Sequence, residues 1–364
     1  QLLDAFAPYL SRPFVDEDFK MQSTLTGAKK LLPRWKRVVK TENRALGFAV
    51  GKAYVEQKFP PASKAAVLDI LHGIRAALQK DLETISWMSP KTREAAIKKL
   101  ALMGERIGYP DKWRDYSALS IDRGPYVLNV IRANEFENNR ELNQIGKPVD
   151  KSEWFMTPQT VNAYYDPSMN NINFPAGILQ PPFFDPNAPM AVNYGAIGYV
   201  MGHETTHGFD DQGSKFDGHG NLKNWWTRTD KRHFEKNVKC IVKQFSSYTV
   251  DGDVHVQGKL VTSEAIADLG GLKLAWRAFR ASPYYKEAKT IDGFTPDQQF
   301  FLGAAHVWAS NIRPAEARNR VTTDPHPPAM YRVNGTLANL PQFQQAFHVP
   351  KKSPMVNQPI CVIW

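Results

Sequence analysis

The sequence is poor in cysteine: two in 364 residues, Cys240 and Cys361, 121 positions apart. No Cys-x-x-Cys pair exists, which excludes a cysteine-built zinc site. Spacing alone leaves two readings open, a pair of buried thiols or one disulfide closing a long loop, and the second requires an oxidising compartment. Also missing is any run of 18 or more apolar residues, so nothing in the sequence spans a membrane. Internal repeats and low-complexity tracts are absent. The chain opens QLLDAFAPYL, with no Met, basic start or signal-peptide core, as expected of a mature product or a fragment.

A dense basic patch is lacking too, although the net charge is +10. Residues 1–150 carry 25 Lys and Arg against 18 Asp and Glu (+7), and residues 151–364 carry 21 against 18 (+3). Only PRWKRVVK (33–40) is locally dense, and it reads as a solvated helix face. The spread argues against nucleic-acid binding and leaves charge a colloidal role.

What is present is an ordinary globular composition, long enough for two domains. Residues 41–106 read as helices. Val67, Leu71, Ile74 and Leu78 form one apolar stripe behind Pro60-Pro61. A further helix takes Ser89 as N-cap and Pro90 as its first residue, and Gly108 and Pro110 stop it. From about residue 150 the texture changes. TVNAYYDPSMNNINFPAG (160–177) reads as a hairpin around a turn-rich centre, followed by a proline-rich loop. Helical texture returns at NYGAIGYVMGHETTHGF and again after Trp225. KLVTSEAIADLGGLKLAWRAF (259–279) reads as a short strand, an N-cap at Thr262 or Ser263 and a helix, and the tail after 312 shows little periodicity. The expectation is a helical first part, 1–150, and a mixed, mainly helical second part, 151–364.

Within that second part, His203 and His207 stand four apart, so a helix puts both on one face, able to hold one ion. Glu204 lies about 100° round the helix and can reach a water at that ion without binding it. Small apolar flanks, YGAIGYVMG, suit a buried helix, where two imidazoles and a carboxylate are costly without a partner. Zinc needs a third ligand and an open position. Glu264 in SEAIAD is the favoured candidate, with Asp268 one turn on to orient a ligating imidazole. The alternative makes Glu264 a helix N-terminal acid and Asp268 a surface residue. Gly270 and Gly271 would let this helix approach another closely. His326, between prolines in TTDPHPPAMYR, sits where a rigid loop could hold a transition-state donor, whereas the remaining histidines read as surface or packed residues.

With these residues assembled, the chain closely resembles the neprilysin and endothelin-converting-enzyme family of zinc metallopeptidases, bacterial oligopeptidases included. WMSP, ERIGYPD, VNAYYDPSMNNINFPAGILQPPFF, GHETTHGFDDQG, NWWT, ADLGGL, NGTLANLPQF and the ending CVIW carry the likeness along nearly the whole chain. The resemblance implies a mainly helical α+β fold, a thermolysin-like zincin (gluzincin) catalytic domain over 151–364 with part of a helical cap lobe over 1–150. It implies one Zn²⁺ per chain on His203, His207 and Glu264, with Glu204 as general base, Asp268 as second carboxylate and His326 as transition-state donor. It implies a substrate clamp of Asn162, Ala163 and Arg332. The pocket for the residue after the scissile bond would include Ile178, Phe183, Val200, Val307 and Trp308.

The activity so implied is hydrolysis of short peptides on the amino side of bulky hydrophobic residues. An intact set of ligands plus Glu204 argues against the rival class, a peptidase-like domain that only captures peptides. Three departures stand out. Ala265 replaces an Asn that follows the glutamate ligand in the family. Cysteines common in animal members are mostly missing, with Ala309 where one often occurs, and only the pair Cys240 and Cys361 remains, which favours a disulfide between them. Family members are about twice as long, so the chain looks like a C-terminal half whose N-terminal partner segment is missing. An extracytoplasmic location, periplasmic or secreted with a possible N-terminal anchor, follows from the family and the cysteines.

Overall fold

The computed structural model describes residues 2–364. Helices dominate. The first part runs α1 (Leu2–Phe6), α2 (Arg12–Thr26), α3 (Arg34–Ala45), α4 (Gly47–Lys58), α5 (Pro61–Thr84) and α6 (Pro90–Ala101). Pro61 and Pro90 open their helices at the position where a missing N–H costs nothing. The α5 stripe is buried as its spacing predicts: Val67, Leu71 and Ile74 are fully enclosed, and each such side chain contributes roughly 1.5–3 kcal/mol by leaving water. Helix α3, which carries the basic run from Arg34 on, has no buried residue, as expected of a solvated face.

Helix α6 ends earlier than its sequence suggests. Residues Gly104–Gly108 form strand β1, which lies parallel to β3 (Asn171–Pro175), with Ile107 opposite Phe174. Strand β2 (Tyr164–Asp166) pairs antiparallel with β3, so the hairpin read from the sequence is present and the sheet order is β1-β3-β2. Helix α7 (Tyr126–Leu142) lies between β1 and this hairpin in the chain. Ser89 takes the N-cap position of α6 as expected, but its hydroxyl donates to Asp230 Oδ2 at 2.5 Å rather than capping a first-turn N–H.

The second part continues with α8 (Met190–Asn193), a π-helical turn over Tyr194–Gly198, and α9 (Tyr199–His207). Helix α10 (Arg228–Ser246) leads to a small β4 (Thr249–Val250) and β5 (Val254–His255) hairpin and then α11 (Thr262–Ala281). Residues 259–261 form a turn rather than the short strand expected from the sequence. Thr262 is its first residue, with its hydroxyl donating back to Gly258 O at 2.6 Å, and Val261 occupies the cap position. After α12 (Pro283–Glu287) and α13 (Pro296–His306), the tail folds into α14 (Pro314–Thr323), α15 (Ala329–Leu337) and α16 (Pro341–Ala346). Prolines that suggested irregular chain therefore mark helix starts in α14 and α16.

Helix α11 is the hub. It packs against α9, α5, α10, α12, α15 and the π turn, and one apolar core joins Val55 and Phe59 to Ile363 and Trp364. Residues on both sides of position 150 share this core, as β1 does with β3. Cys240 in α10 is disulfide-bonded to Cys361, with Cα atoms 5.6 Å apart, so the second reading of that pair holds. Among the described residues no helix is long and apolar enough to cross a membrane.

Candidate metal centre

Helices α9 and α11 cross with almost nothing between them. A Cβ on Gly202 would lie 2.4 Å from Gly271 O, one on Gly271 2.4 Å from His203 N, and one on Gly270 2.6 Å from Thr206 Cγ2. Glycine is required there for close approach, as expected for Gly270 and Gly271. The π turn ahead of α9 meets α13 equally tightly, since a Cβ on Gly195 would stand 1.9 Å from Phe300 O. Thr205 and Thr206 satisfy their buried hydroxyls on carbonyls one turn back, at 2.7 Å each.

This crossing brings the ligand candidates together. His203 Nε2 and His207 Nε2 are 3.0 Å apart. Glu264, in the first turn of α11, sets Oε2 3.2 Å from His203 Nε2 and Oε1 3.6 Å from His207 Nε2. Atoms bound tetrahedrally to one zinc at ~2.0–2.1 Å stand about 3.3 Å apart, and the three separations bracket that value. Glu204 is buried beside them, and His203, Glu204 and His207 each place one ligand atom within 4.8 Å of the others. Two imidazoles and one carboxylate are a donor set that suits zinc.

Each imidazole is held from behind. His203 Nδ1 meets Asp268 Oδ1 at 2.9 Å, and His207 Nδ1 meets Asp210 Oδ2 at 2.6 Å, so both Nε2 atoms are turned to the common centre. Asp268 is completely buried and far from the surface residue of the alternative reading. Asp210 is a partner that sequence reasoning missed. Its signal was an acid three residues beyond His207, on the turn that ends α9.

The electrostatics favour positive charge at the centre. Burial opposes ionisation of Glu264, but His203, His207 and His326 hold its carboxyl well below the usual range. Asp268, against the same opposition, is drawn down to about 2 by Arg332 and His203. Burial would lower His203, yet Asp268 and Glu264 lift it to about 10. Glu204 behaves differently: burial raises its carboxyl.

Around this core the other predicted residues take distinct places. Arg332 grips Asp268 with Nε and Nη2, lies 3.8 Å over the Trp308 ring, and sets Nη2 3.8 Å from Glu264 Oε2. His326 points Nε2 at Glu264 Oε2 from 3.4 Å, while Asp324 accepts from its Nδ1 at 2.7 Å and from its backbone N–H at 2.9 Å. Asn162 is exposed and Ala163 buried, just before edge strand β2. Val200 and Ile178 are buried, Phe183, Val307 and Trp308 partly so, and the Trp308 ring meets Tyr199 edge-on at 6.1 Å. Ala265 is buried against the core and brings no polar group to the centre.

Known proteins resemble this chain along its whole length. Profiles of peptidase family M13 match residues 162–363 and, for the N-terminal part, residues 1–110. An endothelin-converting enzyme homolog of Locusta migratoria is 39% identical over 100% of this chain and 51% of its own length. An inhibitor complex of a Mycobacterium tuberculosis zinc metalloprotease superposes with a TM-score of 0.94 at 45% identity, covering 100% of this chain and 56% of that one. PepO from Lactobacillus rhamnosis gives 0.91 at 34%, covering 98% and 55%. The chain thus spans about half the length of the relatives it matches.

Proposed function

The chain belongs to peptidase family M13, and we propose that it is the catalytic half of a zinc-dependent endopeptidase that cleaves short peptides before bulky hydrophobic residues. The observation that carries this reading is the convergence of His203, His207 and Glu264 on one point beside buried Glu204. Those three side chains hold one zinc. Zinc bound there supplies Lewis acidity toward the scissile carbonyl.

Glu204 takes the proton of the attacking water, and its raised carboxyl lies nearer to operating pH than an exposed one would. With Nδ1 tied to Asp324, His326 meets the developing oxyanion through Nε2. Arg332 spends Nε and Nη2 on Asp268, which leaves Nη1 for a peptide carbonyl. Asn162 and Ala163 extend the edge of β2, so an extended substrate can add there as a further strand. Glu204 passes the proton it took on to the departing amine, and Asp268, buried against Arg332 and His203, assists by orienting the His203 imidazole. Ile178, Phe183, Val200, Val307 and Trp308 provide the apolar pocket for the residue after the scissile bond.

A cap-lobe portion in residues 1–150 and a catalytic domain in 151–364 belong to the same proposal, with β1 and α5 reaching from the first into the core of the second. The partners are oligopeptide substrates and the N-terminal half of the same protein. The disulfide supports an extracytoplasmic location. The deciding experiment takes the full-length protein and measures zinc content and cleavage of a quenched hydrophobic peptide, with and without chelator, for wild type and Glu204→Gln. One zinc per chain, chelator-sensitive cleavage and an inactive, zinc-loaded Glu204→Gln are expected. Metal-free, chelator-insensitive protein would overturn the reading.

A further inference from the structure

The two imidazoles are tied to the structure in different ways. His203 is joined across the helix crossing, because its partner Asp268 belongs to α11, the helix that carries Glu264. His207 is joined to Asp210, which follows α9 on the same stretch of chain. By that bond alone, His207 would have no link to the third ligand's helix.

Ser263 supplies one. It is the residue before Glu264, and its hydroxyl donates to Asp210 Oδ2, the oxygen that also meets His207 Nδ1. Asp210 is buried and accepts from Gln212 N–H at 2.8 Å and Gly213 N–H at 2.7 Å as well. The loop that presents those amides is itself fixed. A Cβ on Gly213 would fall 1.8 Å from His207 O, and Lys99 Nζ donates to Gly213 O at 2.7 Å and Phe216 O at 2.8 Å. A carboxylate with four donors in a packed loop has one orientation, and Ser263 ties that orientation to α11.

We propose that Ser263 is a positioning residue: through Asp210 it fixes the His207 imidazole relative to Glu264, so that carboxylates join the ligand helices at both ends of the site. Ser263 was one of the two residues expected to cap α11, but the helix already starts at Thr262, and the Ser263 hydroxyl is spent on the neighbouring element. The inference rests on the proposed zinc site and concerns the chain's own residues.

The test uses the full-length protein and competes zinc against a chelating dye for wild type, Ser263→Ala, Ser263→Thr, Asp210→Asn and the Ser263→Ala/Asp210→Asn double variant. Loss of an outer partner of a ligand weakens metal binding by about 10–100-fold, and Ser263→Ala is expected near the lower figure. Ser263→Thr, which keeps the hydroxyl, is expected to bind like wild type. The double variant should bind no more weakly than Asp210→Asn alone, because both changes cut one relay. The visible spectrum of the cobalt-substituted protein should shift in Ser263→Ala, which a merely structural role would not produce. Unchanged zinc affinity and cobalt spectrum in Ser263→Ala would overturn the inference, as would two effects that multiply in the double variant. Wild type that takes up no zinc would defeat the proposed function instead, so the two failures are distinct.

Discussion

Asp268 and Arg332 meet at two points, Nε to Oδ2 at 2.9 Å and Nη2 to Oδ1 at 2.7 Å, with the carboxylate wholly out of solvent. The same Oδ1 faces His203 Nδ1, so one carboxylate neutralises a buried guanidinium and orients a ligand. Replacing it by Asp268→Asn leaves Arg332 buried against an uncharged amide. Breaking a buried pair in this way costs about 3–5 kcal/mol. Urea denaturation of chelated protein should show that loss, and zinc competition should show a weaker site as well.

His326 lies outside the three ligands, and its ring is oriented by Asp324. His326→Ala is therefore expected to lower kcat by about 10²–10³-fold, as loss of one oxyanion donor does, while zinc content stays at wild-type level. Asp324→Ala, which frees the ring without removing it, should lower kcat less. Steady-state kinetics beside metal analysis check both.

Gly271→Ala should damage the site through the backbone. The added carbon would meet His203 N at 2.4 Å and His203 Cα at 2.7 Å, atoms that cannot swing aside as a side chain can. Overpacking of this kind costs about 1–3 kcal/mol. Because the strain falls on the residue bearing a ligand, zinc affinity should drop along with the melting temperature, and a calorimetric scan with and without zinc reads both.

Lys99 gives a pH signature away from the centre. Burial pushes its ammonium from the ordinary 10.5 down to about 7, against attraction from Asp210 and Asp217. Between those two values the unfolded chain holds a proton that the folded chain has released. Unfolding then takes up that proton, so stability rises with pH across the window, by at most about 1.4 kcal/mol per unit, and is flat below it as far as this group is concerned. Denaturation of wild type and Lys99→Met at pH 7.5 and 9.5 should show a steeper rise in wild type. The difference in slope, rather than any offset from lost hydrogen bonds, is the predicted quantity.

What could be read from the sequence was local. His203, Glu204 and His207 follow from helix periodicity, and Glu264 and Asp268 from a place in a first turn and a spacing of four beyond it, since one helix fixes those spacings. Strand β1 could not be read in the same way. GERIG becomes a strand only by pairing with β3, 67 residues on at Gly104↔Asn171, and nothing within it announces that partner. The helices α14 and α16 were masked by prolines that stand at their first positions. Asp210 and Ser263 were invisible as a pair because they meet across 53 residues, while Ser263 alone looked like an ordinary cap.

The bare crossing of α9 and α11 also bears on which ion the protein accepts. Donors mounted on backbones in direct contact cannot spread to suit a larger guest, as they could on a loop or a layer of flexible side chains. Calcium asks for six to eight oxygens at ~2.3–2.6 Å, and magnesium for six near-ideal octahedral positions. Two imidazole nitrogens and one carboxylate held 3.0 to 3.6 Å apart meet neither demand. The donor types thus disfavour the abundant alkaline-earth cations, and the close contact at Gly202, Gly270 and Gly271 is what holds those donors at that spacing.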